Sequence, residues 1–128
     1  MITEGSVYKL KGSEDKPHYH IIVFSDPRGQ GKQYIVCYLS STTTRADTTT
    51  TFKPGDEFFI TKPCWVKYRN AKIIVEMDFE KLTSIGVISD QNLEKIKEGF
   101  KLSLGKMPGE VKNLWKQWEQ DRWFPPSL

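Results

Sequence analysis

From Val7 to Met77 every apolar stretch is short, rich in β-branched and aromatic residues, and cut off by proline, glycine or small polar residues. Stretches of that length do not supply the stripe a stable helix buries, but each fits a strand bounded by turns. Val7-Tyr8-Lys9-Leu10-Lys11 alternates apolar and polar residues, as a strand with one covered face does. His18 to Phe24 is β-branched or aromatic on both faces and reads as a central strand. Gln33 to Leu39 is another apolar run. Ser25-Asp26-Pro27-Arg28-Gly29-Gln30-Gly31 between the two has turn composition, which predicts an antiparallel hairpin with a long loop. The biased stretch from Ser40 to Thr51 has no apolar periodicity and reads as an exposed loop, and Phe52-Lys53-Pro54-Gly55-Asp56 as a turn. Glu57–Thr61, Cys64–Arg69 and Ala71–Met77 read as three further strands.

After Met77 the periodicity changes. Asp78-Phe79-Glu80-Lys81-Leu82 fits a single helical turn. Ser89 is a good N-cap for a helix carrying Leu93, Ile96 and Phe100 at helical spacing as far as Leu102. Gly105 and Pro108-Gly109 stop it, and a second helix is expected from Glu110 to about Arg122 with Val111, Leu114, Trp115 and Trp118 on one face. The fold class is therefore mainly β (β+α): about six short strands in a small barrel or strongly curved sheet, with C-terminal helices. Residues 1–104 are expected to form the barrel domain with its late helix, and 105–128 a Trp-rich helical tail.

A chain of 128 residues with 38% apolar and 27% charged residues fits one globular domain. The net charge of +3 is unevenly spread: residues 1–69 hold ten Lys/Arg against seven Asp/Glu, and residues 70–128 hold nine of each. The excess lies in the strand-rich part, which is compatible with a polyanionic partner. No apolar run is long enough to cross a bilayer, and the N-terminus lacks the basic start and apolar stretch of a secretory signal, so a cytoplasmic protein without membrane contact is expected. Cys37 and Cys64 each sit alone in an apolar run and are expected to be reduced and buried. Phosphate-binding glycine loops, His-Glu-x-x-His and Cys-x-x-Cys are all missing, so no cofactor is expected. Two histidines on one short strand are also too few for a metal centre, and no metal site is expected.

Those two histidines, His18 and His20, are one residue apart. On a strand this puts both rings on one face, about 7 Å apart. Imidazole titrates near neutrality, so the pair suits a general base and a general acid. Cleavage of RNA by its own 2′-hydroxyl needs both, together with cations for the charge gathering on the phosphate. The same spacing also suits two packing or hydrogen-bonding residues near a strand start. Ser40 and Ser41 stand where the third strand leaves the sheet, either as turn residues or with hydroxyls facing a ligand. Lys16, Arg28, Lys32 and Arg45 flank the same loops as phosphate-binding candidates or as solvated charges. Trp115, Trp118 and Trp123 read as core or self-association surface rather than base-stacking residues, because lysine and glutamate interleave them.

Gly5-Ser6-Val7-Tyr8, then Ile22-Val23-Phe24-Ser25, then Ile35-Val36-Cys37-Tyr38-Leu39-Ser40-Ser41, resemble the layout of the MazF/PemK family of ribonuclease toxins. Ile88-Ser89-Asp90-Gln91-Asn92-Leu93 is similar to the family's late helix, so the likeness spans about residues 4–100. Phe52-Lys53-Pro54-Gly55-Asp56 and Val66-Lys67-Tyr68 look like a divergent branch. The resemblance implies an SH3-like barrel, a homodimer, and a metal-independent endoribonuclease acting on single-stranded RNA and restrained by a protein antitoxin. In the family an arginine, usually followed by proline, opens the second strand and acts with a threonine ending the third. Counted back from Ser25, the arginine position falls on Tyr19 and the proline position on His20, while the threonine position falls on Ser40. The hydroxyl is kept and the arginine is lost.

Two functions follow as expectations. In the first, His18 and His20 serve as base and acid, Ser40 orients the scissile phosphate, Lys16 or Arg28 stabilises its charge, and Ser41 and Arg45 help to hold the RNA. In the second, the barrel is a non-catalytic binding module for a protein or nucleic acid.

Overall fold

The computed structural model describes residues 2–10, 19–29 and 32–123. Among them seven strands form one antiparallel sheet: β1 (Ser6–Leu10), β2 (Tyr19–Ser25), β3 (Gln33–Ser40), β4 (Thr51–Phe52), β5 (Cys64–Val66), β6 (Lys72–Val75) and β7 (Leu82–Val87). Helices α1 (Asp90–Leu102) and α2 (Gly109–Trp123) follow, and short 3-10 helices occupy Tyr68–Asn70, Glu76–Lys81 and Leu104–Lys106. The architecture is mainly β with C-terminal helices, as the alternation of short apolar runs and turns predicts. Its hydrogen-bonded path runs β4-β5-β3-β2-β1-β7 and is open, with β6 attached to β3.

β3 is the hub. One edge pairs with β2, placing His20 opposite Tyr38, Ile21 opposite Cys37 and Ile22 opposite Val36. The other edge is shared, because Gln33 to Val36 pair with β6 while Leu39 and Ser40 pair with β5. Strand alternation then sorts the side chains onto two faces. Val7, Ile21, Ile35, Cys37 and Leu39 join Leu93, Ile96 and Phe100 of α1 and Val111 and Trp118 of α2 in the larger core. A register shift between Ile22 and Phe24 brings both Val23 and Phe24 into that core, where the Phe24 ring meets Phe100 at 4.9 Å between centroids. Tyr8, Ile22, Val36 and Ile74 form a second, smaller cluster, closed by Phe79 from the 3-10 helix ahead of β7. β2 is thus covered on both faces, in keeping with its β-branched and aromatic composition.

α1 starts where its cap predicts. The Ser89 hydroxyl accepts from the Asn92 N–H at 3.2 Å, and the Glu57 carboxylate accepts from the Ser89 N–H, the Ser89 hydroxyl and the Asn92 side-chain amide. An anion at this end also suits the helix dipole.

Three local expectations are corrected. Glu57–Thr61 is not a strand: the Ile60 N–H donates to the Glu57 carbonyl and the Gly55 N–H to the Ile60 carbonyl, so this turn satisfies its own backbone while Phe59 and Ile60 plug the core. Leu82–Val87 is a strand, paired with β1, although its polar middle and Gly86 do not signal one. Thr50 at the end of the threonine-rich loop is buried, and Thr51 and Phe52 form β4. Cys37 and Cys64 are both free thiols, the first buried and the second half-buried. No helix among the described residues is long and apolar enough to cross a membrane.

Candidate functional site

Because Ile21 and Cys37 point to the helices, the next cross-strand pair, His20 and Tyr38, points to the opposite face. His20 is only 4% exposed, and its ring meets Tyr38 edge to face at 4.5 Å between centroids. On its other side stands Tyr8, its partner in β1, whose phenol burial holds above its ordinary value. Tyr38 is half-buried and carries a cation over its ring, with the Lys72 ammonium 4.9 Å from the centroid.

Ser40 ends β3 two residues further along the same face. Its hydroxyl lies 3.1 Å from the Thr42 hydroxyl and accepts from the Thr42 N–H at 3.3 Å, which turns the chain out of the sheet. Lys67 follows β5 and is laid beside this end of β3 by its own N–H, which donates to the Tyr38 carbonyl at 2.9 Å. From the far side the 3-10 helix before β7 contributes Asp78 and Lys81. His20, Tyr38, Ser40, Lys67 and Lys72, with Asp78 and Lys81, line a groove of about 560 Å³ whose apolar part includes Ile73, Ile74 and Leu82. Three lysines face one aspartate, so the groove is set for a negatively charged ligand.

The sequence-predicted candidates fall into separate places. His20 and Ser40, from different strands, come together in this groove. His18 and Lys16 lie outside the described residues. Ser41 lines a second cavity, of about 620 Å³, between the threonine-rich loop and Phe52, Cys64 and Trp65 of β4 and β5. Arg28 is paired with Asp121 of α2 at 2.6 Å. Arg45 sits exposed in the threonine-rich loop with φ +56°, and neither arginine lines the groove. Among the described residues no group of three or more His, Cys, Asp and Glu side chains could hold a metal ion.

Tyr38, Lys67 and Lys72 are the residues that sequence reasoning missed. The period of two along β3 already places Tyr38 on the face of Ser40. Nothing local to Lys67 or Lys72 signals their position, which depends on the pairing of β3 with β5 and β6.

Chemically, the groove offers a buried imidazole, an aromatic wall, a hydroxyl and a cluster of ammonium groups within one depression. No protein-family model matches the chain, and no curated protein matches it in sequence. Solved structures with a similar fold include a mycobacterial endoribonuclease in complex with its cognate antitoxin. It is 19% identical, with a TM-score of 0.58 over 82% of this chain and 96% of that one. A second solved structure, of a mycobacterial endoribonuclease, is likewise 19% identical, with a TM-score of 0.58 over 81% of this chain and 91% of that one. The chain therefore shares its fold with these endoribonuclease structures, at low sequence identity.

Proposed function

We propose that this chain is a toxin-like endoribonuclease of the divergent MazF/PemK kind, cutting single-stranded RNA at the groove between β2, β3 and the 3-10 helix before β7. The observation that carries the reading is the meeting of His20 and Ser40 in one lysine-rich groove, on a fold shared with endoribonucleases. In this scheme a base removes the proton of the 2′-hydroxyl, whose oxygen attacks the adjacent phosphorus. The bond to the 5′-oxygen breaks as an acid protonates it, leaving a 2′,3′-cyclic phosphate and a 5′-hydroxyl. His20 fills one of the two proton-transfer roles and His18 the other. Ser40 orients the phosphate, and lysines around the groove offset the charge that builds on it. The reaction proceeds without a metal ion or other cofactor, in the cytoplasm, by a homodimer held in check by a protein antitoxin. Incubation with long single-stranded RNA in EDTA tests this: chelator-resistant fragments with 2′,3′-cyclic phosphate and 5′-hydroxyl ends are expected, and intact RNA rejects it.

One observation favours a second reading. His20 is nearly buried beneath Tyr38, a packing suited to a rigid binding groove that holds RNA without cutting it. That reading predicts binding without turnover, unaffected by replacement of His20.

A further inference from the structure

We infer that Lys67 and Lys72 are the phosphate-holding cations of the groove, and that its ligand is a single polynucleotide strand lying along β3 from Ser40 towards the 3-10 helix before β7. The inference rests on the groove being the nucleic-acid site proposed above and names which of its residues grip the backbone. Lys67 and Lys72 reach the groove from opposite ends of one short connection, the 3-10 helix Tyr68–Asn70 that links β5 to β6. The Lys67 N–H is tied to the Tyr38 carbonyl, and Lys72 stands opposite Val36 in the sheet with its ammonium over the Tyr38 ring. Both side chains are half-buried, so their stems are packed and their charges directed before any ligand arrives. Replacing a cation held by one aromatic face with a cation that also contacts phosphate retains the first contact and adds the second.

The rest of the groove argues for the kind of ligand. A volume of about 560 Å³ lies in the range of sites that take one small ligand, so it has room for a nucleotide or two of a single strand. Its floor is aromatic and apolar beside Tyr38, Ile73, Ile74 and Leu82, a surface on which a base can lie while its phosphates meet the lysines. Asp78 and Lys81 stand at the rim from the 3-10 helix, beside this apolar part.

The test is the salt dependence of binding for a short fluorescent 2′-O-methyl oligoribonucleotide, which lacks the free hydroxyl needed for cleavage. For a single strand the slope of log K against log salt falls by about 0.7 for each phosphate contact removed. Lys67→Met and Lys72→Met are each expected to lower the slope by that amount, and Lys72→Arg to restore it. Lys116→Met, on the exposed side of α2, is expected to leave it unchanged. A duplex of the same sequence should compete poorly. Wild-type slopes in the Lys67 and Lys72 variants, or an equal fall in the Lys116 variant, overturn the inference. Since the probe is not cut, failure of wild-type protein to cleave RNA would remove the nuclease reading and leave this one standing. Cleavage with unaltered slopes would do the reverse.

Discussion

His20 and Tyr38 are direct neighbours across β2 and β3, with their rings edge to face at 4.5 Å between centroids. The pairing fixes an imidazole against an aromatic wall, while Tyr8 flanks it from β1. A side chain so enclosed has few rotamers left to lose when a substrate binds, which suits a group that must meet one reacting atom. The same enclosure ties the chemistry of the groove to the packing of the sheet, so replacements at the site need a stability control.

Ser40 provides the cleanest separation of the two effects. Among the described residues its hydroxyl bonds to Thr42 alone, in an exposed turn, so Ser40→Ala should change stability by less than about 1 kcal/mol. If the hydroxyl orients the scissile phosphate, cleavage should nevertheless fall about tenfold or more. Paired thermal melts and cleavage rates measure both, and an unchanged rate would remove Ser40 from the site.

A buried polar node joins the threonine-rich loop to α1. The Tyr68 hydroxyl donates to the Ile96 carbonyl at 2.8 Å, which leaves the Thr50 hydroxyl to donate to the Tyr68 oxygen at 2.7 Å. Tyr68→Phe strands the Thr50 donor in the core and should cost about 1–3 kcal/mol by denaturant unfolding. Gly99 packs against this node, and a Cβ there would collide with both hydroxyls, so Gly99→Ala should destabilise by at least as much.

Alkaline pH should weaken the fold. Burial pushes the Cys64 thiol from 9.0 up to about 11, with Asp56 adding to the rise, and burial also raises Cys37 and Tyr68. A thiol that keeps its proton longer in the folded chain than in the unfolded one leaves stability intact below the unfolded value and erodes it as pH climbs through the folded value. The melting temperature should therefore decline between pH 9.0 and about 11, and less steeply in Cys64→Ala. An identical slope in that variant would show that other groups dominate.

Arg28 is engaged away from the groove by its ion pair with Asp121. Arg28→Ala should leave the rate of RNA cleavage unchanged and shift stability by no more than about 1 kcal/mol, since the pair is partly exposed and screened. Cleavage assays and melts on this variant check both.

Much of this architecture is legible because local pattern and tertiary role agree. β2 and β3 are dense in β-branched residues and lie covered on both faces, and Ser89 caps α1 just where an apolar 3.6-residue stripe begins. Trp115, Trp118 and Trp123 of α2 read as core or self-association surface: Trp118 is buried and Trp115 packs against the same cluster, whereas Trp123 is 73% exposed. β7 escapes detection because its strand character comes from β1, far away in sequence, rather than from its own composition. Phe58-Phe59-Ile60 misleads in the opposite sense: Phe59 and Ile60 serve as a plug held by a local turn, and Phe58 stays exposed. His20 and Ser40 can be found from strand periodicity and strand ends. The lysines around them cannot, because the register that brings β6 against β3 is set by the whole sheet.

The measurement that bears most directly on the central claim is the rate of single-stranded RNA cleavage in EDTA by wild-type protein and by His20→Ala, with thermal melts of both. A proton-transfer role predicts chelator-resistant cleavage that drops by about 10²–10⁴-fold in a variant that still unfolds cooperatively. Cleavage undiminished in a folded His20→Ala protein, or none by the wild type on any RNA offered, would contradict it.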